Sequence, residues 1–344
     1  MVKRYRKGAY KKMNVLVFGL GPIGIEILRN AYQLNPHSVI GAVDIDPNKV
    51  GKDIGELSGE ADSGIKVTDN VQDVEKRKES QQVAIHATGS NLKHVWPQIK
   101  ELLDNGYSVV STCEQLSYPW HAYPELAKEI DEYAKSKNLT VIGTGINPGF
   151  IMDTMAVCFS TVLTNVKKIT VIRNVDVSKR RIPLQKKVGI GMSEEEFLSL
   201  ANQDKIGHVG LEESVRLIAY ALNWKLIDVN NTIEPTIAKD QVHTPLTPLN
   251  TGDVSGLHQV SRGRTAEGFE IHLDLTMSAG IEQKDEIILE GNTTQRNVVP
   301  DGIFGDTSTA AMAINTAKRI DAIRQPGLLT MADIGLPRFT YQPS

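Results

Sequence analysis

Short apolar runs alternate with helical patterns through the first 150 residues of the chain. The run Val15–Phe18 is too short for a buried helix, and Ile25, Leu28 and Ala31 then follow at helical spacing. Further apolar runs cover 39–43, 82–87, 108–111 and 140–143, with helical patterns at 92–105 and 123–137. This alternation predicts a parallel sheet of βα units, which is a Rossmann-type α/β domain.

The pattern changes after residue 150. Long segments alternate between apolar and polar positions at 168–177 and 269–278, and a further apolar run covers 286–289. Between them, 211–222 carries an apolar helical face, and 240–254 is a polar loop that contains prolines. These features predict a second α+β domain built on a mixed or antiparallel sheet.

The predicted organisation is therefore a doubly wound α/β domain followed by a second, α+β domain. We expect the dinucleotide-binding domain at 13–150 and a substrate-binding and oligomerisation domain at 151–305. The segment 306–344 begins with a helical pattern behind the candidate cap Asp306 and is expected to return to the first domain. Residues 1–12 carry six Lys/Arg and no acid, and we expect a disordered tail or an upstream start there.

A glycine-rich turn follows the first predicted strand. Gly19, Gly21 and Gly24 form the pattern Gly-x-Gly-x-x-Gly, with Pro22 and Ile23 between the last two. The first glycine permits the tight turn, the second lets a pyrophosphate approach the backbone, and the third allows close helix–strand packing. The helix N-terminus adds free N–H groups. Strand, turn and helix together predict a nicotinamide dinucleotide site.

Asp44 ends the second predicted strand, about 20 residues after Gly24, which is the spacing of the ribose-binding acid in such sites. A carboxylate there accepts hydrogen bonds from the adenosine ribose and repels a 2′-phosphate. NAD is therefore the expected cofactor. NADP remains an alternative because Lys49 and Lys52 lie close by in sequence.

Three later strand ends carry polar or small residues, at the edge where open α/β sheets bind ligands. The small residues Thr88, Gly89 and Ser90 would let the backbone come near the dinucleotide. Cys113 and Asn147 are further expected cofactor contacts. Glu114 follows a buried strand immediately, where a carboxylate could exchange protons with an amine or a water. A solvated loop glutamate or an acid at a helix start is the alternative for Glu114.

Substrate contacts are expected from the second domain. Arg173 shares a strand face with Val171 and Val175, so its guanidinium could bind a substrate carboxylate bidentately, unless it is an ion-paired structural arginine. Weaker candidates are Asn174 on the opposite strand face, His208 in a glycine-bordered loop, His272 on a polar strand face, and Phe150 as a pocket wall.

The composition is consistent with the predicted fold and cofactor. A net charge of -3 and a sequence pI near 6.3 give no general attraction to nucleic acid or anionic membranes. Two cysteines provide no disulfide framework, the eight histidines show no metal-ligand spacing, and we expect no metal. Since no apolar stretch reaches membrane-spanning length, the cytoplasm is the expected compartment.

Several motifs resemble one enzyme family. The segments 19–24 (GLGPIG), 42–57 (AVDIDPNKVGKDIGEL), 111–119 (STCEQLSYP) and 143–150 (GTGINPGF) resemble 2,4-diaminopentanoate dehydrogenase and the native amine dehydrogenases, within the dihydrodipicolinate reductase-like fold group. The resemblance continues at 176–181, 189–192 and 305–310. It implies NAD(P)-dependent oxidative deamination of 2,4-diaminopentanoate to 2-amino-4-oxopentanoate and ammonia, reversible as reductive amination. It also implies that Glu114 is the essential carboxylate.

Other functions stay open at this point. Related enzymes act on simple ketones or aldehydes with ammonia, and homoserine or diaminopimelate dehydrogenases share the Rossmann domain followed by a mixed sheet. A cofactor-sensing protein without catalysis is a further alternative. The expected partners are a small amine or amino-acid substrate and a second copy of the chain, since the long strands of the second domain offer a dimer face.

Overall fold

The computed structural model describes residues 14–76 and 82–336, and the basic segment 1–12 lies outside them. Six strands form the first sheet: β1 (Asn14–Phe18), β2 (Val39–Val43), β3 (Gln82–His86), β4 (Tyr107–Ser111), β5 (Thr140–Gly143) and β12 (Gly327–Leu329). Their order is β2-β1-β3-β4-β5-β12, and every neighbouring pair is parallel. The predicted Rossmann-type sheet is confirmed.

The helices of the described ranges connect these strands and cover the second sheet: α1 (Pro22–Leu34), α2 (Ile54–Ser58), α3 (Leu92–Asp104), α4 (Pro124–Ser136), α5 (Thr154–Ser160), α6 (Ile182–Lys187), α7 (Glu194–Ala201), α8 (Leu211–Ala221) and α9 (Gly305–Ile323). Helix α1 begins at Pro22, whose fixed φ suits a first helical position. Its apolar stripe, Ile27, Leu28 and Ala31, is buried against the sheet. No helix within 14–76 and 82–336 is long and apolar enough to cross a membrane.

The second sheet is mixed, as predicted. Its six strands are β6 (Val166–Asp176), β7 (Leu226–Ile237), β8 (Val254–Thr265), β9 (Glu270–Ser278), β10 (Lys284–Gly291) and β11 (Thr294–Pro300). They lie in the order β11-β10-β6-β9-β8-β7, with β6 and β9 parallel and the other neighbours antiparallel.

Strand β6 shows how this sheet is built. Ile169, Val171, Arg173 and Val175 are buried on one face, whereas the residues between them are only partly buried. The buried face of β6 lies in one continuous core, in which α5 contacts β6 and α8 contacts β7, β8 and β9. This period of two is what a sheet covered on one face requires.

The C-terminal segment contacts the first domain. Helix α9 packs beside α1, and β12 pairs with β5 at the edge of the parallel sheet. Thr140 Oγ1 donates a hydrogen bond to the Gln325 carbonyl at 2.6 Å. Both α1 and α9 therefore begin at the edge of the sheet where the strands end.

The sequence patterns missed three strands of the second sheet. β7 is largely exposed and carries few apolar side chains in alternation, so it shows only a weak period of two. β8 contains Gly256 and Gly263, which leave gaps in its pattern, and β11 is an exposed edge strand. These strands are held by pairing with neighbours, a tertiary effect that local patterns do not report.

Candidate active site

A cavity of about 440 Å³ lies between the two domains. Its first wall is formed by the turn after β1 and the ends of β3, β4 and β5; its second comes from β6, β9 and α6. The start of α9 closes a third side. The cavity adjoins β1 and β3, where the strand order reverses, which is the usual binding position in open α/β sheets.

The turn after β1 has the shape that a dinucleotide requires. Gly19 adopts a φ of +90°, and its N–H donates to the Val43 carbonyl at 2.8 Å. A Cβ on Gly24 would lie 1.8 Å from the Gly19 carbonyl oxygen, so only glycine fits there. A Cβ on Gly21 would meet nothing within 4 Å. The backbone at Gly21, Pro22 and Ile23 thus opens into the cavity and leaves room for a pyrophosphate at the start of α1.

Asp44 stabilises this turn. Its Oδ2 accepts a hydrogen bond from the Leu20 N–H at 2.6 Å, and its Oδ1 accepts one from the Asp46 N–H at 2.8 Å. Lys49 Nζ lies 3.4 Å from Oδ2. Asp44 does not line the cavity itself. It lies beside the turn, where its carboxylate could contact a ribose at the edge of the cavity.

The end of β3 places Thr88, Gly89 and Ser90 in the cavity wall. Thr88 Oγ1 lies 2.6 Å from Gln98 Oε1 and 2.8 Å from His86 Nε2. Burial lowers the pKa of His86 to about 4, so this histidine is neutral and acts as a hydrogen-bonding support beneath the strand end. These contacts fix the Thr88 hydroxyl at the wall.

Glu114 lines the same cavity. It begins a short 3₁₀ turn, Glu114–Leu116, directly after β4, and its carbonyl accepts a hydrogen bond from the Ser117 N–H at 3.1 Å. A Cβ on Gly210 would lie 3.1 Å from Glu114 Cβ and 2.4 Å from Pro148 Cδ. The start of α8 therefore packs closely on the wall that carries Glu114.

A second carboxyl group interacts with Glu114. Glu213 lies in the first turn of α8, and burial, reinforced by the charges of Glu212 and Glu114, raises its pKa to about 7. Sequence reasoning missed Glu213, because it is one of two acids in a polar helix start and only the fold brings it towards β4.

Asn147 lies at the end of β5 in the cavity wall, before a cis peptide bond to Pro148. Within the described residues, its buried side-chain nitrogen and oxygen have no hydrogen-bond partner. Buried Asp153 fixes the turn that follows, because its Oδ2 accepts hydrogen bonds from the Gly149 N–H at 2.8 Å and the Ser214 hydroxyl at 2.7 Å. The unpartnered amide is suited to a ligand that both donates and accepts hydrogen bonds.

Arg173 reaches the cavity wall, but its charge is already paired. Its Nη1 donates to both oxygens of Asp285 at 2.6 Å, and its Nη2 donates to the Ile303 carbonyl at 2.8 Å. Both charged side chains are at most 5% exposed. Asp285 lies opposite Arg173 on β10, so the structure shows the ion-paired arginine that the sequence left open. Binding of a substrate carboxylate by Arg173 stays a prediction.

His208 lines the cavity in the loop before α8. Its backbone is held on both sides by the Gln259 amide, at 2.8 Å and 3.1 Å. Burial and the charge of Lys187 lower its pKa to about 3, so the ring is neutral. Its buried Nδ1 has no hydrogen-bond partner among the described residues, which leaves it available to a ligand.

Seven predicted contacts do not line the cavity: Gly19, Gly24, Asp44, Cys113, Phe150, Asn174 and His272. Cys113 is fully buried in the core below the strand end, and Phe150 packs against the core behind the Asn147 turn. Side chains alternate between the two faces along a strand, so Asn174 points away from the face that carries Arg173. His272 pairs with Thr170 on β6 and points to that same outer face. The contacts of Cys113, Phe150, Asn174 and His272 with cofactor or substrate stay predictions.

The structure adds cationic residues that the sequence did not single out. Arg180, Arg181 and Lys187 line the cavity, and Asp306 and Thr309 face them from the start of α9. The run of basic residues after β6 was the available signal, but nothing in the sequence tells which of them point inwards. No group of three or more His, Cys, Asp or Glu residues placed to hold a metal ion occurs in 14–76 and 82–336.

Comparison with known families adds to this geometry. The model of the 2,4-diaminopentanoate dehydrogenase C-terminal domain matches residues 150–342, more than half of the chain. The chain belongs to this family. A second model, the CoA binding domain, matches residues 10–111 in the first domain of this dehydrogenase.

Individual relatives agree along nearly the whole length. The chain is 29% identical to 2,4-diaminopentanoate dehydrogenase of Acetoanaerobium sticklandii, over 95% of each chain. Among solved structures, the amine dehydrogenase from Mycobacterium smegmatis matches with a TM-score of 0.83 at 22% identity, covering 96% of this chain and 98% of that one. GenD2 from gentamicin A biosynthesis, solved in complex with NAD, matches with a TM-score of 0.56 at 13% identity, covering 94% and 90%.

These matches confirm the resemblance found in the sequence and the predicted fold class. Membership in this dehydrogenase family also confirms the prediction of an NAD(P)-dependent oxidoreductase acting on a small molecule. The open turn at Gly21 fits the dinucleotide that such an enzyme uses.

Proposed function

We propose that the protein catalyses the NAD(P)-dependent oxidative deamination of 2,4-diaminopentanoate at its C4 amine, giving 2-amino-4-oxopentanoate and ammonia. The observation that carries the proposal is that Glu114 lines the same cavity as the open turn at Gly21. The relative from Acetoanaerobium sticklandii, which bears the name of this activity, supports it. The reverse reaction, reductive amination, follows from the same site.

The proposed role of Glu114 is proton transfer. A bound nicotinamide supplies the acceptor for the hydride that leaves the amine-bearing carbon. Glu114 takes a proton from the substrate ammonium, which frees the nitrogen lone pair needed to expel the hydride. After hydride transfer, Glu114 releases this proton to solvent and, as a carboxylate again, takes a proton from the water that adds to this carbon. It returns that proton to the nitrogen of the carbinolamine, which leaves as ammonia while the hydroxyl group becomes the carbonyl and loses its proton to solvent. A carboxylate at the wall of a partly closed cavity suits these steps.

The neutral residues of the cavity would orient the substrate. Asn147 and His208 present polar atoms without protein partners, whereas Val175, Leu275 and Met277 supply an apolar surface from the second sheet. Such a surface accommodates the methyl and methylene groups of the diamino acid. Binding at the domain boundary would hold the amine-bearing carbon near both Glu114 and the cofactor turn.

A second candidate is an amine dehydrogenase that acts on simple ketones or aldehydes with ammonia. The specific observation in its favour is that Asp285 neutralises Arg173, the arginine expected to bind the substrate carboxylate. In this case the apolar surface alone would select the substrate.

NAD is proposed as the preferred cofactor. The Asp44 carboxylate stands beside the turn at Leu20 with Lys49 at 3.4 Å, so a negative 2′-phosphate would meet a carboxylate. The homodimer predicted from the sequence and the cytoplasm as its compartment also stay proposals.

The test is NADH formation by the purified protein. The substrates are 2,4-diaminopentanoate, ornithine, lysine, homoserine and simple amines, each with NAD and NADP. Glu114→Gln keeps the size of the side chain and removes its basicity, so we expect turnover of diaminopentanoate to fall by about 100-fold or more. The variant's NADH affinity, measured by fluorescence titration, should stay close to that of the wild type.

The outcomes separate the candidates. The proposal is supported if the wild type turns over diaminopentanoate and the Glu114→Gln variant does not. Turnover with simple amines alone moves the protein to the second candidate. A Glu114→Gln variant that retains full turnover rules out the proposed base.

A further inference from the structure

Arg180 is a buried guanidinium that the mechanism above does not use. It lies after β6, just before α6, and its side chain is only 5% exposed, yet it lines the cavity. Its Nη2 donates to Asp306 Oδ1 at 3.0 Å. Its Nε and Nη1 are buried and have no hydrogen-bond partner among the described residues.

The side chain is held rigidly from one side. Its Cζ lies 4.0 Å from the centre of the Phe304 ring, which places the guanidinium over an aromatic face. Asp306 fixes one end of the fork, so the remaining N–H groups keep a set direction. Burial lowers the pKa of Arg180, but an arginine in a protein remains charged at neutral pH.

Such an arrangement is unfavourable without a ligand. A buried charged group with unpaired donors costs free energy, and folded proteins normally satisfy such donors. Arg173, the other buried arginine of the cavity, shows the satisfied case, since Asp285 and the Ile303 carbonyl occupy its donors.

The surrounding charge favours an anion. Arg181 and Lys187 also line this part of the cavity, whereas Asp306 is the carboxylate that contacts the two arginines. Arg181 Nε lies 3.4 Å from Asp306 Oδ2. Apart from Arg173, which Asp285 pairs, the cavity wall carries the three cations Arg180, Arg181 and Lys187 and the two carboxylates Glu114 and Asp306, so positive charge is in excess.

We propose that Arg180 binds an anionic oxygen group inside the cavity through its free Nε and Nη1. Two ligands of the proposed function carry such a group, and the inference rests on that function for both: the carboxylate of the amino-acid substrate and the pyrophosphate of the dinucleotide. A planar guanidinium suits either, because carboxylate and phosphate oxygens match its paired donors.

The test measures binding of each anion separately, without turnover. NADH is titrated by fluorescence, and 2-aminopentanoate, which has the carboxylate but no C4 amine, is titrated into the NADH-loaded protein by calorimetry. We expect Arg180→Gln to weaken one of these two ligands by about tenfold or more, as loss of a charge-assisted pair does. The affected ligand identifies the source of the anion.

Two further variants keep the result interpretable. Arg180→Lys retains the positive charge without the paired donors of the guanidinium, so we expect a smaller loss of affinity for the same ligand. This variant replaces Arg180→Gln in the test if the Gln variant does not fold. Arg264→Gln makes the same chemical change at an exposed arginine of β8 and should leave both affinities at the wild-type value.

Unchanged affinity for both ligands in folded Arg180→Gln, or in folded Arg180→Lys if the Gln variant does not fold, would overturn the proposal. Failure of the proposed function is a separate result. It is seen when wild-type protein that binds NADH does not oxidise 2,4-diaminopentanoate. In that case the NADH and 2-aminopentanoate titrations of the variants together still decide whether Arg180 holds an anion.

Discussion

Glu213 shows how a single residue can make this protein sensitive to pH. Burial is the main reason that its pKa rises from the ordinary 4.5 to about 7, and the charges of Glu212 and Glu114 add to the effect. Between these two pH values the folded state binds more protons than the unfolded state. The contribution of Glu213 to stability is therefore present below pH 4.5 and declines as the pH rises through about 7.

Glu213→Gln should accordingly stabilise the protein at alkaline pH, because the amide is neutral in both states. We expect the free energy of unfolding to rise by about 1–3 kcal/mol above neutral pH and to stay nearly constant in mild acid. Urea unfolding at an acidic and an alkaline pH measures both values.

The neighbouring Glu212 provides the control. Its carboxylate accepts hydrogen bonds from Arg216 Nε at 2.8 Å and from Asn231 Nδ2 at 2.6 Å, so Glu212→Gln should weaken the fold rather than stabilise it. An equal effect of Glu213→Gln at both pH values would contradict the proposed protonation of Glu213.

Within the element formed by β1, its turn and α1, two glycines have different roles. Gly24 is required for packing, since a Cβ would lie 1.8 Å from the Gly19 carbonyl. Gly21 is not, because a Cβ there would meet nothing within 4 Å. It borders the cavity at the position where a phosphate would approach the backbone.

Gly21→Ala should therefore fold with an unchanged melting temperature but bind NADH about tenfold or more weakly, because the added methyl group occupies the space of the pyrophosphate. Gly24→Ala should instead lose about 1–3 kcal/mol of stability through overpacking. Thermal unfolding and NADH titration of both variants provide the comparison. Normal NADH affinity in Gly21→Ala would argue against a dinucleotide in this turn.

At the scale of the whole molecule, the second sheet presents its two faces differently. One face packs against α8 and lines the cavity through Arg173, Val175 and Leu275. The opposite face carries partly buried side chains of mixed character, among them Thr170, Ile172 and Ile288. A broad sheet face of this kind suits an isologous contact between two copies, because each strand can meet its own symmetry mate.

We expect the purified protein to have about twice the 37.8 kDa mass of one chain, as measured by light scattering after gel filtration. Thr170→Arg places a bulky charge at the centre of the outer face and should yield the single-chain mass. Ser136→Arg, at an exposed position of α4 in the first domain, is the matched control and should remain dimeric. A dimeric Thr170→Arg variant would move the interface elsewhere.

Local sequence patterns were enough to predict most helices and strands of the first domain to within one or two residues. The predicted helix 92–105 is found as Leu92–Asp104, and the predicted helix 123–137 as Pro124–Ser136. The run 82–87 becomes strand β3, and the glycine turn lies where its spacing indicates. These features are encoded locally, because apolar periodicity and turn residues act over a few positions. The mixed sheet was also predicted, although three of its strands were not.

Glu114 and Asn147 were predicted site residues and line the cavity, but only the packing of distant elements shows which charged side chains of the site are already paired. Arg173 and Arg180 are both buried arginines near the cavity, and their sequence surroundings do not tell them apart. Arg173 is paired with Asp285, 112 positions away, whereas Arg180 shares only Nη2 with Asp306, 126 positions away. The assignment of free and occupied donors depends on these long-range contacts. Local patterns place strands and helices, but the partner of a buried charge is fixed only when distant elements pack together.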